Sequence, residues 1–242
     1  AINEDVGTGR LPLPQGVTLS RISWANFIPI TVVHLLALLV CLPWLFSWTG
    51  VILLLVGIPF YGQIGITLCY HRLLTHRSFR VPKWFERTLV FFALCSLEGP
   101  PVRWVATHRA HHFHADTQPD PHSPLVNFLW GHCGWLMFKN RDFLNVNYYQ
   151  RFTRDLLRDP FYMSLERGAT WLWIYSASMA LFFGAGLAVG WPLWGFAAGV
   201  QFGLSLLVWG VFVRTVATWH ITWSVNSVTH VWGYRNYETD DN

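Results

Sequence analysis

Eleven histidines occur in this chain, and five of them fall into two tight groups. The first group is His71 and His76, in Tyr70-His71-Arg72-Leu73-Leu74-Thr75-His76-Arg77. The second is His108, His111 and His112, in Thr107-His108-Arg109-Ala110-His111-His112. Positions i, i+3 and i+4 of an α-helix share a face, so the second group points three imidazoles together. Imidazoles this close compete for one another's protons unless a cation holds them neutral. Nitrogen-rich ligation suits Zn, Fe, Cu or Ni. His71 and His76 are five apart, about 140° from a common face on an α-helix. They serve two ions or lie at a frayed helix end. A sparser group is Asn226 and His230, at i and i+4, with His220 about 80° away on the same helix. His34 sits alone in an apolar run and reads as a satisfied polar residue. The plainer alternative for the whole set is a basic, histidine-rich surface facing lipid. The HxxxxH and HxxHH patterns together, His108 following His76 by 32 residues, favour a metal.

The elements that must position these groups are legible from the charges. No Asp, Glu, Lys or Arg occurs in the fifty residues between Arg21 and Arg72, or in the forty-six between Arg167 and Arg214. A bilayer crossing takes about 20 apolar residues, so each gap predicts a helical hairpin. The expected spans are about 26–45, 51–70, 170–189 and 194–213. Turns are expected at Ser47-Trp48-Thr49-Gly50 and Gly190-Trp191-Pro192, on Gly and Pro chemistry. All seventeen Lys and Arg and all thirteen acids then fall in segments 1–21, 72–167 and 214–242. Four crossings put those segments on one side, which the positive-inside tendency makes cytoplasmic.

Composition weighs against other classes. Hydrophobic residues make up 52%, charged residues 12%, and fifteen residues are Trp. Soluble chains average roughly 25% charged. This balance gives poor support to disorder, to an ordinary soluble globule and to nucleic-acid binding through a charged surface; the alternative to a membrane protein is a soluble one with two very apolar helical hairpins in its core. Cys41, Cys69, Cys95 and Cys133 form no CxxC pair and read as small buried apolar residues.

Three stretches carry a resemblance to a known family: Cys69–Phe79, the Thr107–His112 box, and Trp223-Ser224-Val225-Asn226-Ser227-Val228-Thr229-His230-Val231-Trp232-Gly233. Asp120-Pro121-His122-Ser123-Pro124 and Arg158-Asp159-Pro160-Phe161-Tyr162 add to it. With them the chain resembles integral-membrane fatty acyl desaturases of the Δ9 type, especially the cyanobacterial acyl-lipid enzymes, and is similar to the stearoyl-CoA desaturases. The resemblance runs from about residue 25 to residue 242.

What the resemblance implies is an all-α integral-membrane fold, with four transmembrane helices under a cytosolic helical cap that holds two iron ions. His71, His76, His108, His111, His112 and His230 would be iron ligands, and Asn226 would act through a water. His114, His122, His132 and His220 match no ligand position and read as supporting or surface residues. Asp116, Asp120 and Glu98 are expected to hold the far nitrogens of ligand imidazoles. The family's third box, another HxxHH, would follow His230 by some thirty residues; the chain reads as C-terminally incomplete before it.

The implied reaction removes two hydrogens from an unactivated methylene pair, consuming O2 and two electrons. The substrate would be a long acyl chain on a glycerolipid or on CoA, within membrane lipid. The donor would be ferredoxin or cytochrome b5. Trp104, Trp135, Trp219 and Trp223 are candidate walls of an acyl tunnel, with interfacial anchoring or core packing as the alternative. Lys139, Arg141, Arg151, Arg154 and Arg158 meet a head group or an electron donor, or are a solvated face. A related di-iron membrane hydroxylase, or a metal-poor fragment without activity, are the alternative functions.

Overall fold

The computed structural model describes residues 11–115 and 117–232. They form two compact units. The first comprises the described residues within Ala1–Pro29, Val102–Arg158 and His220–Asn242; the second comprises Ile30–Pro101 and Asp159–Trp219. The described chain is mostly helical, as expected, with one short β-ribbon.

The second unit holds most of the apolar helical residues, while residues 24–29 of the first helix and 220–231 of the last belong to the first unit. After α1 (Trp24–Ala37) come short 3-10 turns and α2 (Trp48–Gly57), which winds on as a π-helical stretch, Ile58–Thr75. Then come α3 (Lys83–Leu94), α7 (Pro160–Glu166), α8 (Thr170–Trp194) and α9 (Phe196–Leu207), with a π-helical stretch, Val208–Val213, leading into α10 (Arg214–Val231). Four helical runs are long and apolar enough to cross a membrane: Trp24–Cys41, Trp48–Thr75, Thr170–Trp194 and Phe196–His230. Leu35, Trp48, Leu55, Trp173 and Leu181 face outward, as side chains in contact with acyl chains do.

Two turns differ from expectation. Ser47 caps α2, its Oγ accepting from Gly50 N, so Trp48, Thr49 and Gly50 are already helical. Gly190, Trp191 and Pro192 lie inside α8, and the reversal falls at Gly195, whose φ of 89° suits a residue without Cβ. α8 and α9 then pack backbone to backbone. A Cβ on Gly186 would lie 2.6 Å from Gly203 Cα, and one on Gly190 2.7 Å from Gly199 Cα. These are two small-xxx-small pairs facing each other, the usual device where lipid removes the hydrophobic drive.

Arg214, the first charge after the fourth apolar run, is wholly buried. Its Nη2 donates to Cys95 O at 2.7 Å, and its guanidinium lies 3.8 Å from the Tyr61 ring centre. The helix continues past it to Val231. The first π-helical stretch is held close beside α3: a Cβ on Gly65 would meet Ala93 Cα at 2.9 Å.

The first unit holds α4 (Pro101–His114), a π-helical turn, Trp130–Gly134, that leads into α5 (Trp135–Met137), and α6 (Val146–Leu157). β1 (Val17–Ile22) pairs antiparallel with β2 (Phe138–Asn140). Pro101 starts α4 where a missing N–H costs nothing. Val102, Val105, Ala106 and Ala110 form its buried stripe. Arg109 reaches across to α6, donating to both Asp155 carboxylate oxygens and to Phe152 O at 2.7–3.2 Å. That clamp fixes α4 and leaves its other face to the histidines.

Candidate metal centre

His71 lies in the last turn of the π-helical stretch of the second unit, and His76 is its C-cap. Here His76 N donates to His71 O at 3.0 Å, an i→i+5 bond. In π winding, residues five apart sit one turn apart on the same side. The α-helical expectation of opposed faces is therefore corrected: the two Nε2 atoms are 3.1 Å apart and the ring centres 4.5 Å. Cys69, Tyr70, Leu73, Leu74 and Thr75 are buried around them, and Tyr70 OH donates to Gly99 O at 3.2 Å. Packing of that segment leaves His71 half-buried and His76 exposed.

In the first unit, His108 and His112 repeat the geometry on α4. Their Nε2 atoms are 3.1 Å apart and the ring centres 4.6 Å, with the planes at 87°. Two imidazoles on one ion at right angles, with bonds of about 2.1 Å, have nitrogens about 3.0 Å apart and ring centres about 4.6 Å apart. Each pair thus has the bite of a chelate, and the donor set fits a transition metal.

His111 is oriented differently. Both Asp120 oxygens lie 2.9–3.0 Å from its Nδ1. A carboxylate only accepts, so Nδ1 carries the proton and Nε2 keeps its lone pair for a metal. Asp120 is wholly buried and also accepts from His122 N at 3.1 Å. Asp120 is thus the acid expected to hold a ligand imidazole; Asp116 lies outside the described residues. His122 packs on His111 with ring centres 4.3 Å apart. His111, Asp120 and His122 form a group able to hold a metal ion. Burial holds the His122 imidazole well below the usual histidine range, and the histidines packed around it act in the same direction. A neutral ring with a free lone pair results, and His122 Nδ1 is buried with no hydrogen-bond partner, as is His230 Nδ1. His230 lies 6.4 Å from His111 between ring centres. Half-buried Asn226 sits one turn before His230 on α10. These orphaned nitrogens fit a cation.

Burial of His122 corrects the surface half of its expectation and leaves the supporting one, beside His111. Its signal in the sequence is the Asp120-Pro121-His122 turn, which sets the acid and the imidazole two residues apart. Two other histidines meet without warning in the sequence. His132 Nε2 and His220 Nδ1 are 3.1 Å apart, but the ring centres are 5.3 Å apart. That spread is close to a head-on N–H···N bond, unlike the two chelating pairs. Ser227 Oγ donates to Trp223 O, so His132 Nδ1 must donate to Ser227 Oγ at 2.9 Å. His132 Nδ1 therefore carries a proton, and burial lowers the pKa of the ring, which favours the neutral form whose Nε2 accepts from His220 Nδ1. His34 Nδ1 donates to Ile30 O at 2.7 Å, the satisfied polar residue expected.

The four candidate tunnel tryptophans have different surroundings. Trp104 lies on α4 against His108, ring centres 5.0 Å apart. Trp135 stands 5.2 Å from His122. Trp223 is buried between His132 and His220. Trp219 belongs to the second unit, donates to Ser96 O at 2.9 Å and packs on His34. Its indole N–H is engaged with the core.

A family model described as fatty acid desaturase matches residues 42–242. The sn-1 stearoyl-lipid 9-desaturase of Anabaena variabilis is 41% identical over 93% of this chain and 75% of its own length. The sn-2 palmitoyl-lipid 9-desaturase of Nostoc sp. is 38% identical over 94% of this chain and 73% of its own. The sn-1 stearoyl-lipid 9-desaturase of Synechocystis sp. is 37% identical over 90% of this chain and 62% of its own. Spans of membrane length, paired imidazoles and these matches lead to one assignment: the chain belongs to the fatty acid desaturase family of membrane oxidoreductases.

Proposed function

We propose that this chain introduces a cis double bond at the Δ9 position of a long acyl chain carried on a membrane glycerolipid. Two irons, O2 and two electrons from ferredoxin or cytochrome b5 complete the reaction. His71, His76, His108, His111, His112 and His230 hold the metal, with Asn226 acting through a water. When bound, iron supplies the oxidising power that abstraction from an unactivated methylene requires, and that no acid or base can provide. The chain's own residues do the rest. Asp120 keeps His111 in one tautomer, and the chelating pairs present lone pairs at a fixed angle. Trp104, Trp135 and Trp223 are apolar walls that exclude water from the reacting carbons. The metal centre faces the cytoplasm, in keeping with the placement of all Lys and Arg in three segments.

The observation that carries this reading is the locked His111, on one helix with a chelating His108–His112 pair. It gives the family's chemistry a donor set that fits. The test is iron per chain in mild detergent, followed by mass spectrometry of lipids turned over with a reduced carrier. About two irons and a new 9-ene in glycerolipid are expected. A hydroxylated product, or no iron above the level of a His108→Ala, His112→Ala variant, would overturn the proposal.

A further inference from the structure

A desaturase consumes two electrons per double bond, and the structure shows a face suited to receive them. α6 is amphipathic and kinked at Thr153, whose φ is −136°: Thr153 and Leu156 are buried, while an exposed row of Asn147 and Arg151 before the kink and Arg154 and Arg158 after it lines the other side. The acid on this helix, Asp155, is already engaged by Arg109. The row therefore presents three guanidinium groups without a compensating carboxylate of its own. Its C-terminal half borders a shallow depression formed by Gln150, Arg151, Arg154, Leu157 and Arg158.

This face adjoins the metal-binding helix. The Arg151 guanidinium lies 4.5 Å from the ring centre of Phe113 and 5.3 Å from that of Phe152. Phe113 follows His112 directly in α4, and both are exposed. An electron arriving at Phe113 is thus one residue from a ligand imidazole. The Arg109–Asp155 clamp holds α6 and α4 together, so the spacing is fixed by the fold.

We propose that an acidic one-electron carrier protein docks on Arg151, Arg154 and Arg158 and delivers its electrons beside Phe113 and His112. This rests on the desaturase reading. Each encounter passes one electron from the carrier's reduced centre to the metal centre, two per double bond; solvent supplies the two protons that balance O2 reduction to water. Carboxylates on the carrier complement the guanidinium row, which steers encounter and sets register. Anionic lipid is the weaker occupant: an interfacial helix needs a large apolar face beside its basic one. Among described residues of α6, Val146 at the first position is the one large apolar side chain that is strongly exposed.

The test compares iron-loaded wild type with Arg151→Glu/Arg154→Glu/Arg158→Glu, using plant-type ferredoxin and soluble cytochrome b5 as separate probes. Carrier binding is measured by titration calorimetry across ionic strength, and turnover with the carrier beside turnover with dithionite. A carrier Kd and apparent KM raised at least tenfold, with a flattened salt dependence and unchanged dithionite-driven product, are expected. The milder Arg154→Glu/Arg158→Glu pair leaves the Phe113 stacking intact and is expected to shift Kd the same way, so misfolding of the triple variant cannot stand in for the effect. Unchanged carrier affinity in both variants overturns the docking face. So does loss of binding to anionic vesicles without loss of carrier affinity. Absence of a new double bond with dithionite would instead overturn the desaturase reading.

Discussion

The two units solve the problem of burying polar backbone and side chains in opposite ways. In the second unit, α8 and α9 approach so closely that glycines line the contact: Gly186 faces Gly203 and Gly190 faces Gly199 at backbone distance. Cohesion there comes from close van der Waals packing. In the first unit, buried polar groups are placed beside one another, and several are paired: Asp120 with His111, Ser227 with His132, His132 with His220. Cohesion there comes from directed hydrogen bonds that also fix tautomers. The first kind of packing tolerates no added volume. The second tolerates volume but not a wrong proton.

The largest effect should follow from breaking the glycine contact. A Cβ on Gly199 would lie 2.6 Å from Trp191 N, and backbone cannot yield. Gly199→Val is expected to cost about 3 kcal/mol or more and to abolish a monodisperse peak in size-exclusion chromatography. Gly184, also on α8, opens onto free space, since a Cβ there would meet nothing within 4 Å. Gly184→Ala should therefore leave thermal stability unchanged or raised. Equal damage from both substitutions would mean that the hairpin is not held by the facing glycines.

The matching change in the first unit keeps volume and alters the proton. Asp120→Asn is nearly isosteric, yet the amide can turn an N–H toward His111 and reverse its tautomer. Iron affinity should fall about 10–100-fold, read as iron retained against a graded chelator, while chromatographic behaviour stays normal. Retention equal to wild type would show that His111 orientation does not depend on the buried carboxylate.

These contrasts also explain which features can be read from sequence. The His108–His112 box is legible because α-helical periodicity holds in α4, and the spans are legible because lipid selects composition. The His71–His76 geometry is not, because it depends on an i→i+5 bond from His76 N to His71 O, a winding that the α-helical period does not describe. Pro192 suggests a turn, yet the bend falls three residues later at Gly195, since the proline sits in the last turn of a helix whose glycines already fix its partner. Arg214 marks the end of an apolar run, where a charge would be expected to leave the core. It stays buried because Tyr61 and Cys95 O receive it. The His132–His220 bond joins residues 88 apart, beyond any local pattern, and Asp120 is legible only as an acid near a histidine box.

The smallest effect tests the rim of the second unit, where neither packing mode applies. Glu86 accepts from Lys83 Nζ and from Tyr162 OH, each at 2.6 Å. Tyr162 is buried and Lys83 is largely exposed. Glu86→Ala should cost about 1–3 kcal/mol, because it strands a buried hydroxyl. Lys83→Met should cost below about 0.5 kcal/mol, because water screens the ion pair. The hydrogen bond to Glu86 raises the Lys83 pKa above its ordinary value, with Asp159 adding to it. A raised folded-state value means that the lysine's contribution is complete below about pH 10.4 and is lost as pH climbs through the raised value. Thermal melts between about pH 9 and 11 should therefore decline slightly in wild type, and the decline should shrink in Lys83→Met. A Lys83→Met loss as large as that of Glu86→Ala would mean that the ammonium, rather than the buried tyrosine, is what Glu86 serves.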